Sequence, residues 1–172
     1  MFKTMILAAI LGGAFQANAH ESHADDKEFA AKAMLHNSAQ KPIGHVNLEQ
    51  GANGVLVSIV AQNIGEGWHA FHIHETGDCS GEGFKSAGGH AHGAHKHHGF
   101  VEGKGMHLGD MPNIWAHKDG TAKAQAFLQD VTLADLIDED GSAVIVHAAK
   151  DDYKSQPSGA AGARIACGVI TH

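Results

Sequence analysis

Sixteen of the 172 residues are histidine, and the chemistry of the chain lies in how they are spaced. His72 and His74 stand at i, i+2 inside Trp68-His69-Ala70-Phe71-His72-Ile73-His74. On a β-strand, alternate side chains leave opposite faces. The two imidazoles then share one face, and Phe71 and Ile73 share the other. Two imidazoles on a rigid strand make half of a metal site. His147 ends the run Ala143-Val144-Ile145-Val146-His147, out of phase with Val144 and Val146, so it too leaves the core face. His98, His107 and Asp110 come from one long polar stretch or its exit, and His90 lies between the groups. Imidazoles alone suit copper, which cycles between two oxidation states. Three imidazoles and a carboxylate suit closed, four-coordinate zinc. Seven residues fill two four-coordinate sites only if one is shared. His90 meets that need by giving one ring nitrogen to each metal.

Strands must position these groups. Gly44 to Gln50 alternates, Gly51-Ala52-Asn53-Gly54 is turn chemistry, and Val55 to Ile59 is β-branched. Together they predict a hairpin. Asn113 to His117, the turn Lys118-Asp119-Gly120 and Thr121 to Leu128 predict a second pair. Leu133 to Ile137 reads as a short helical turn, and Ala143 to His147 and Arg164 to Ile170 as further strands. Glu75–Leu108 and Lys150–Gly162 carry almost no strand pattern, and loops that long inside a compact domain are usually functional. The expected fold is all-β: a Greek-key β-barrel, or flattened immunoglobulin-like sandwich, with two long functional loops.

Composition bounds the setting. Lys3, the apolar run Met5 to Phe15 and the small-residue site Ala17-Asn18-Ala19 predict a signal peptide over 1–19, too short to span a bilayer. Residues 20–36 are expected as a flexible, His-containing tail and lead-in, and 37–172 as a single domain. Export leads to a periplasmic location. The formal net charge is −7, and removing Lys3 makes it more negative. An acidic surface disfavours nucleic acid and anionic membranes as partners. Cys79 and Cys167 are the two cysteines, and an oxidising compartment favours joining them. A bridge closing so long a loop is worth about 4 kcal/mol in the chain-entropy view.

Seven segments together resemble the copper/zinc superoxide dismutases. They are Gly67-Trp68-His69-Ala70-Phe71-His72-Ile73-His74-Glu75, Gly77-Asp78-Cys79, Ser86-Ala87-Gly88-Gly89-His90, His107-Leu108-Gly109-Asp110, Val144-Ile145-Val146-His147, Asp151-Asp152 and Gly162-Ala163-Arg164-Ile165-Ala166-Cys167-Gly168-Val169-Ile170. The resemblance implies that His72, His74, His90 and His147 hold copper. It implies that His90, His98, His107 and Asp110 hold zinc, with His97 the alternative to His98. Cys79–Cys167 corresponds to the family disulfide. Arg164 corresponds to the anion-guiding arginine and Asp151 to the carboxylate that joins ligands of the two sites. The implied reaction converts superoxide anion to dioxygen and hydrogen peroxide, with Arg164 and His90 as the catalytic residues. Lys150 and Lys154 are candidates for added steering charge or, equally, solvated surface lysines. The family includes monomers and dimers, so a homodimer is compatible with the resemblance.

One departure stands out. Ala91-His92-Gly93-Ala94-His95-Lys96-His97-His98-Gly99 contains no proline where relatives usually carry one. The zinc loop is therefore expected to be less rigid. His20, His23, His92, His95 and His97 are extra histidines, read as solvated groups or as accessory metal capture. His36, His45, His69, His117 and His172 are expected in framework or surface roles. The alternative function is a copper/zinc buffer or carrier without catalysis.

Overall fold

The computed structural model describes residues 31–94, 97–101 and 103–172. The signal peptide, most of the tail with His20 and His23, and His95 lie outside the described residues. Alternation in the sequence becomes strand pairing. β1 (Ala31–Asn37), β2 (Pro42–Gly51), β3 (Gly54–Ala61) and β7 (Ala122–Gln129) pair antiparallel in the order β1-β2-β3-β7. On the other side of β1 come β9 (Arg164–Val169), β8 (Ala143–His147) and β5 (Phe71–His74), again antiparallel. These seven strands form one curled sheet. A separate antiparallel pair, β4 (Gly67–His69) with β6 (Ile114–Ala116), completes the named strands among the described residues. The only α-helix among the described residues is α1 (Leu133–Leu136), and a 3-10 segment spans Glu82–Ala87. Thr132 caps α1, with a reciprocal bond from its own N–H to Asp135. The fold is the all-β Greek-key barrel that the pattern predicts.

One boundary differs from the sequence reading and one sharpens it. The lead-in, which the sequence leaves open as a first strand, is strand from Ala31. Ala31, Ala33 and Leu35 point inward and are buried, and Lys32 and Met34 point outward, so the segment has a core face of its own. The run Trp68–His74 is two strands rather than one, broken at Ala70. Trp68 faces Trp115 across β4–β6, while Phe71 faces Val146 across β5–β8. The buried Ala70 serves both sides: its N–H bonds Ala149 and its carbonyl accepts from His147.

The core explains why the histidines face outward. Phe71, Ile73, Val144 and Val146 pack inside the barrel with Val46, Leu48, Val57 and Ile59. His72 pairs with Ile145, and His74 with Ala143, on the opposite face of the same strands. Two loops cover that outer face. Glu75–Leu108 starts under a smaller apolar cluster of Phe84, Ala87, Ala143, Ile145 and Cys167. The Cys79–Cys167 disulfide, spanning 88 residues, ties this loop to β9. The loop 150–162 returns over the other end of β8 through backbone bonds from Ala148 to Ala163 and from Ala149 to Ala161.

Candidate metal centre

The donors gather into two groups, each with its atoms within 4.8 Å of one another. His72, His74, His90 and His147 form the first; His90, His98, His107 and Asp110 form the second. All seven side chains are buried.

In the first group, the ring nitrogens sort themselves by hydrogen bonding. His72 Nε2 bonds Asp151 Oδ2 at 2.8 Å, and His74 Nδ1 bonds the Gly88 carbonyl at 3.0 Å. His147 Nδ1 lies 3.4 Å from the Gly162 carbonyl. Each of these engaged nitrogens donates, which leaves a lone pair on the other. Those others are His72 Nδ1, His74 Nε2 and His147 Nε2, and with His90 Nε2 they are buried without any hydrogen-bond partner among the described residues. Four buried, unpartnered acceptors facing one another would be costly in a site built for nothing. They fit a cation that imidazoles bind, such as copper.

Electrostatics keeps His74, His90 and His147 neutral. Burial lowers His74 from 6.5 to about 2, with help from the neighbouring His90 ring. Burial and the His72 ring lower His147 to about 3. Burial also lowers His90 to about 4, against the opposing pull of Asp110. A neutral imidazole is the ligand form, so these three rings are already free of the extra proton at neutral pH.

The second group is built around one carboxylate oxygen. Asp110 Oδ1 lies 2.8 Å from His90 Nδ1, 2.9 Å from His98 Nδ1 and 3.6 Å from His107 Nδ1. Asp110 Oδ2 accepts the backbone N–H of Gly99 at 2.9 Å and of His107 at 3.0 Å. Burial opposes charge on Asp110, but the nearby His107 ring and the hydrogen bonds from His90 and His98 outweigh it and hold the carboxyl well below the usual range. Three ring nitrogens converging on one anionic oxygen is a donor set for closed zinc. Of the two candidates at 97 and 98, His98 is buried in the group and His97 is exposed.

His90 belongs to both groups, Nδ1 to one and Nε2 to the other. Asp151 makes a second link: Oδ2 reaches His72 and Oδ1 reaches His98 Nε2 at 2.9 Å. Burial opposes charge on Asp151, yet the bonds from His72 and His98 hold it below the usual carboxylate range.

Arg164 stands at the mouth. Its Nη1 and Nη2 each donate at 2.6 Å, to the carbonyls of Phe84 and Gly88. It lines a cavity of about 410 Å³ with His74, His90, His107 and His147. Partial burial lowers its pKa, but an arginine remains charged. Lys150 and Lys154 are elsewhere. They line a separate depression with Trp68, Asn113 and Asp152, so they are not walls of the Arg164 cavity. His92, one of the extra histidines, is at the cavity rim 3.7 Å from Glu75. His69 is framework, as expected: it ties the His147 and Gly65 carbonyls together.

Sequence reasoning missed the groups that act through the backbone. The Gly88 carbonyl serves both His74 and Arg164. Asn113 accepts the Asp151 N–H at 2.7 Å and donates to the Asp151 carbonyl at 2.9 Å. No motif spacing points to such residues, because their partners are main-chain atoms.

Comparison with known proteins decides the family. Residues 42–170 match the family model of copper/zinc superoxide dismutase (SODC). The chain belongs to this family. A superoxide dismutase [Cu-Zn] of Caulobacter vibrioides is 43% identical over 148 residues, covering 82% of this chain and 85% of that protein. One of Aquifex aeolicus, superoxide dismutase [Cu-Zn] 2, is 41% identical over 150 residues, covering 84% and 88%. Among solved structures, a double mutant of a SOD-like protein from Bacillus subtilis superposes with a TM-score of 0.76 at 38% identity, over 80% of this chain and 95% of that one. The Cu/Zn superoxide dismutase from Brucella abortus gives 0.71 at 27% identity, over 82% and 99%.

Proposed function

We propose that His72, His74, His90 and His147 hold copper and that His90, His98, His107 and Asp110 hold zinc, so that this chain dismutes superoxide to dioxygen and hydrogen peroxide. The observation that carries the reading is the sharing of His90, whose two nitrogens enter two different donor groups. Copper held at the first group supplies the one-electron chemistry by alternating between Cu(II) and Cu(I). The protein supplies orientation, charge and a proton.

Arg164 binds the anion. The chain as a whole is acidic and repels superoxide, so a local positive focus must prevail. Two carbonyls hold the guanidinium rigidly beside His74 and His147, and its remaining N–H groups are free to face the cavity. His90 Nε2 would carry one proton to the departing peroxide in the half of the cycle in which that nitrogen is not a ligand, and solvent would supply the second. In the metal-free protein Asp110 holds His90 Nδ1 and keeps the ring from rotating away, a place the zinc would take when bound. Asp151 fixes the rings of His72 and His98 together.

The function is tested by assaying superoxide consumption and metal content on one sample. Activity should track copper, with copper and zinc in equal amounts. Both metals bound with no consumption would favour the buffer or carrier instead. Arg164→Ala should lower kcat/KM by about tenfold or more, in line with the usual range of steering effects, while both metals stay bound. Its rate should also lose much of the wild-type dependence on ionic strength. Unchanged kcat/KM at low salt would remove Arg164 from this role.

We propose a signal peptide over 1–19, a tail from 20 and export to the periplasm. The apolar leader and the disulfide support this. The acidic surface supports the absence of nucleic-acid and membrane partners. The exposed Trp68–Trp115 edge-to-face pair, with ring centroids 5.2 Å apart, supports a homodimer that covers it.

A further inference from the structure

The loop that carries His98 lacks proline, yet His98 is buried and firmly placed. What holds it comes from the other loop. The exposed side chain of Gln156 lies along the backbone of His98 and makes two hydrogen bonds to it. Gln156 Oε1 accepts the His98 N–H at 2.9 Å, and Gln156 Nε2 donates to the His98 carbonyl at 2.9 Å. The amide thus pairs with this one residue as a neighbouring strand would. Gln156 Nε2 also reaches the Lys154 carbonyl at 3.1 Å, which keeps the amide in its own loop.

Three further contacts run between the same two segments. His98 Nε2 bonds Asp151. Gly99 has φ +100 and passes so close to Tyr153 that a Cβ there would collide with the Tyr153 carbonyl. The Phe100 ring lies over the Tyr153 ring at 5.1 Å. Tyr153 is itself anchored, because its hydroxyl accepts the Asn113 N–H at 2.8 Å. Of these contacts, only the Gln156 amide fixes both main-chain polar groups of His98. Immediately after Gln156 come Pro157 and Ser158, which line the Arg164 cavity.

We propose that Gln156 is a positioning residue for the zinc group: its amide sets the height and direction of the His98 backbone, in place of stiffness the loop lacks. The proposal rests on the zinc reading given above. It gives Gln156 no contact with substrate. By the same bonds, the clamp links His98 to the segment that forms one wall of the substrate cavity.

The test uses the full, disulfide-bonded protein with copper in the first group and cobalt(II) in the second. Cobalt reports a tetrahedral nitrogen–oxygen site by its visible absorption, and a competing chelator reads its release. Gln156→Met keeps the length of the side chain and removes both bonds. It should release cobalt about tenfold faster, near the lower end of what losing a ligand's supporting partner costs. Gln156→Glu keeps an acceptor for the His98 N–H and loses the donor to its carbonyl, so its rate should fall between the two. The metal-free proteins should melt together, because Gln156 is exposed and contributes little to the core. Equal release from Gln156→Met and wild type would overturn the clamp. So would a fall in metal-free melting temperature large enough to account for the faster release, which would make Gln156 framework only. If the wild-type protein itself gave no tetrahedral cobalt spectrum, the zinc assignment would fall first and the clamp with it.

Discussion

His147→Ala is expected to abolish copper-dependent turnover while zinc stays bound. His147 contributes one of four unpartnered nitrogens to the first group and nothing to the second. Removing a ligand should cost more than removing a ligand's supporting partner, so activity should fall by more than about a hundredfold. The fold should survive. The bonds that His147 makes through its main chain, from its N–H to Ala70 and from its carbonyl to the His69 ring, do not need the imidazole. The metal-free variant should melt no lower than wild type by more than the small packing loss. The deleted Nε2 is a buried acceptor without a partner, and removing such a group relieves a cost. Copper and zinc analysis beside the activity assay checks this. Zinc lost together with copper would mean that the two groups are not separable in the way their geometry suggests.

The contrast between what was legible and what was not follows from period and direction. Strand pairing was legible because a two-residue period fixes faces: Phe71 and Ile73 enter the core, so His72 and His74 cannot. The phase of His147 against Val144 and Val146 could be read in the same way. The hairpin joining β2 and β3 was legible because Ala52-Asn53 is turn chemistry between two alternating runs. The break at Ala70 was not legible. Both halves of the run alternate, and only the separate partners of β4 and β6 on one side and β5 and β8 on the other divide it.

In the site, residue types located the donors but not their supports. A histidine advertises its chemistry by type, whereas Asn113 and Gln156 act by reaching main-chain atoms 38 and 58 residues away. Nothing in their own neighbourhood marks them. The rigidity expected from a proline within the zinc loop is supplied instead from across the cleft. The choice between His97 and His98 had the same origin. Adjacent residues in an irregular loop have no fixed period, and burial decides between them. The lysines at 150 and 154 show the converse. A positive charge near Asp151 in sequence does not face the cavity that Arg164 faces.

Asp110→Ala should empty the zinc group and loosen the loop together, and Asp110→Asn should separate the two effects. In the wild type, Oδ1 gathers three imidazoles and Oδ2 satisfies two buried N–H groups. Alanine removes both functions. Leaving the Gly99 and His107 N–H groups without an acceptor costs about 1–3 kcal/mol each. The metal-free alanine variant should therefore melt lower and be cut faster by protease within 91–108. Asparagine can still accept those two N–H groups through its amide oxygen, but it brings a neutral NH₂ to the ring nitrogens in place of an anionic ligand. It should keep the loop ordered and lose zinc. The pH dependence separates them further. In the metal-free wild type, burial works against charge on His98, but bonds to Asp110 and Asp151 outweigh it and raise His98 from 6.5 to about 9. A raised folded pKa adds stability that is complete below 6.5 and is lost as pH rises towards 9. Without the Asp110 charge, the metal-free stability of Asp110→Asn should fall less steeply across that interval. Melting curves at several pH values, with zinc measured after dialysis against a chelator, check both statements. Zinc retained in equal amount by Asp110→Asn would show that the carboxylate is not a ligand, and the second group would lose its reason for being read as zinc.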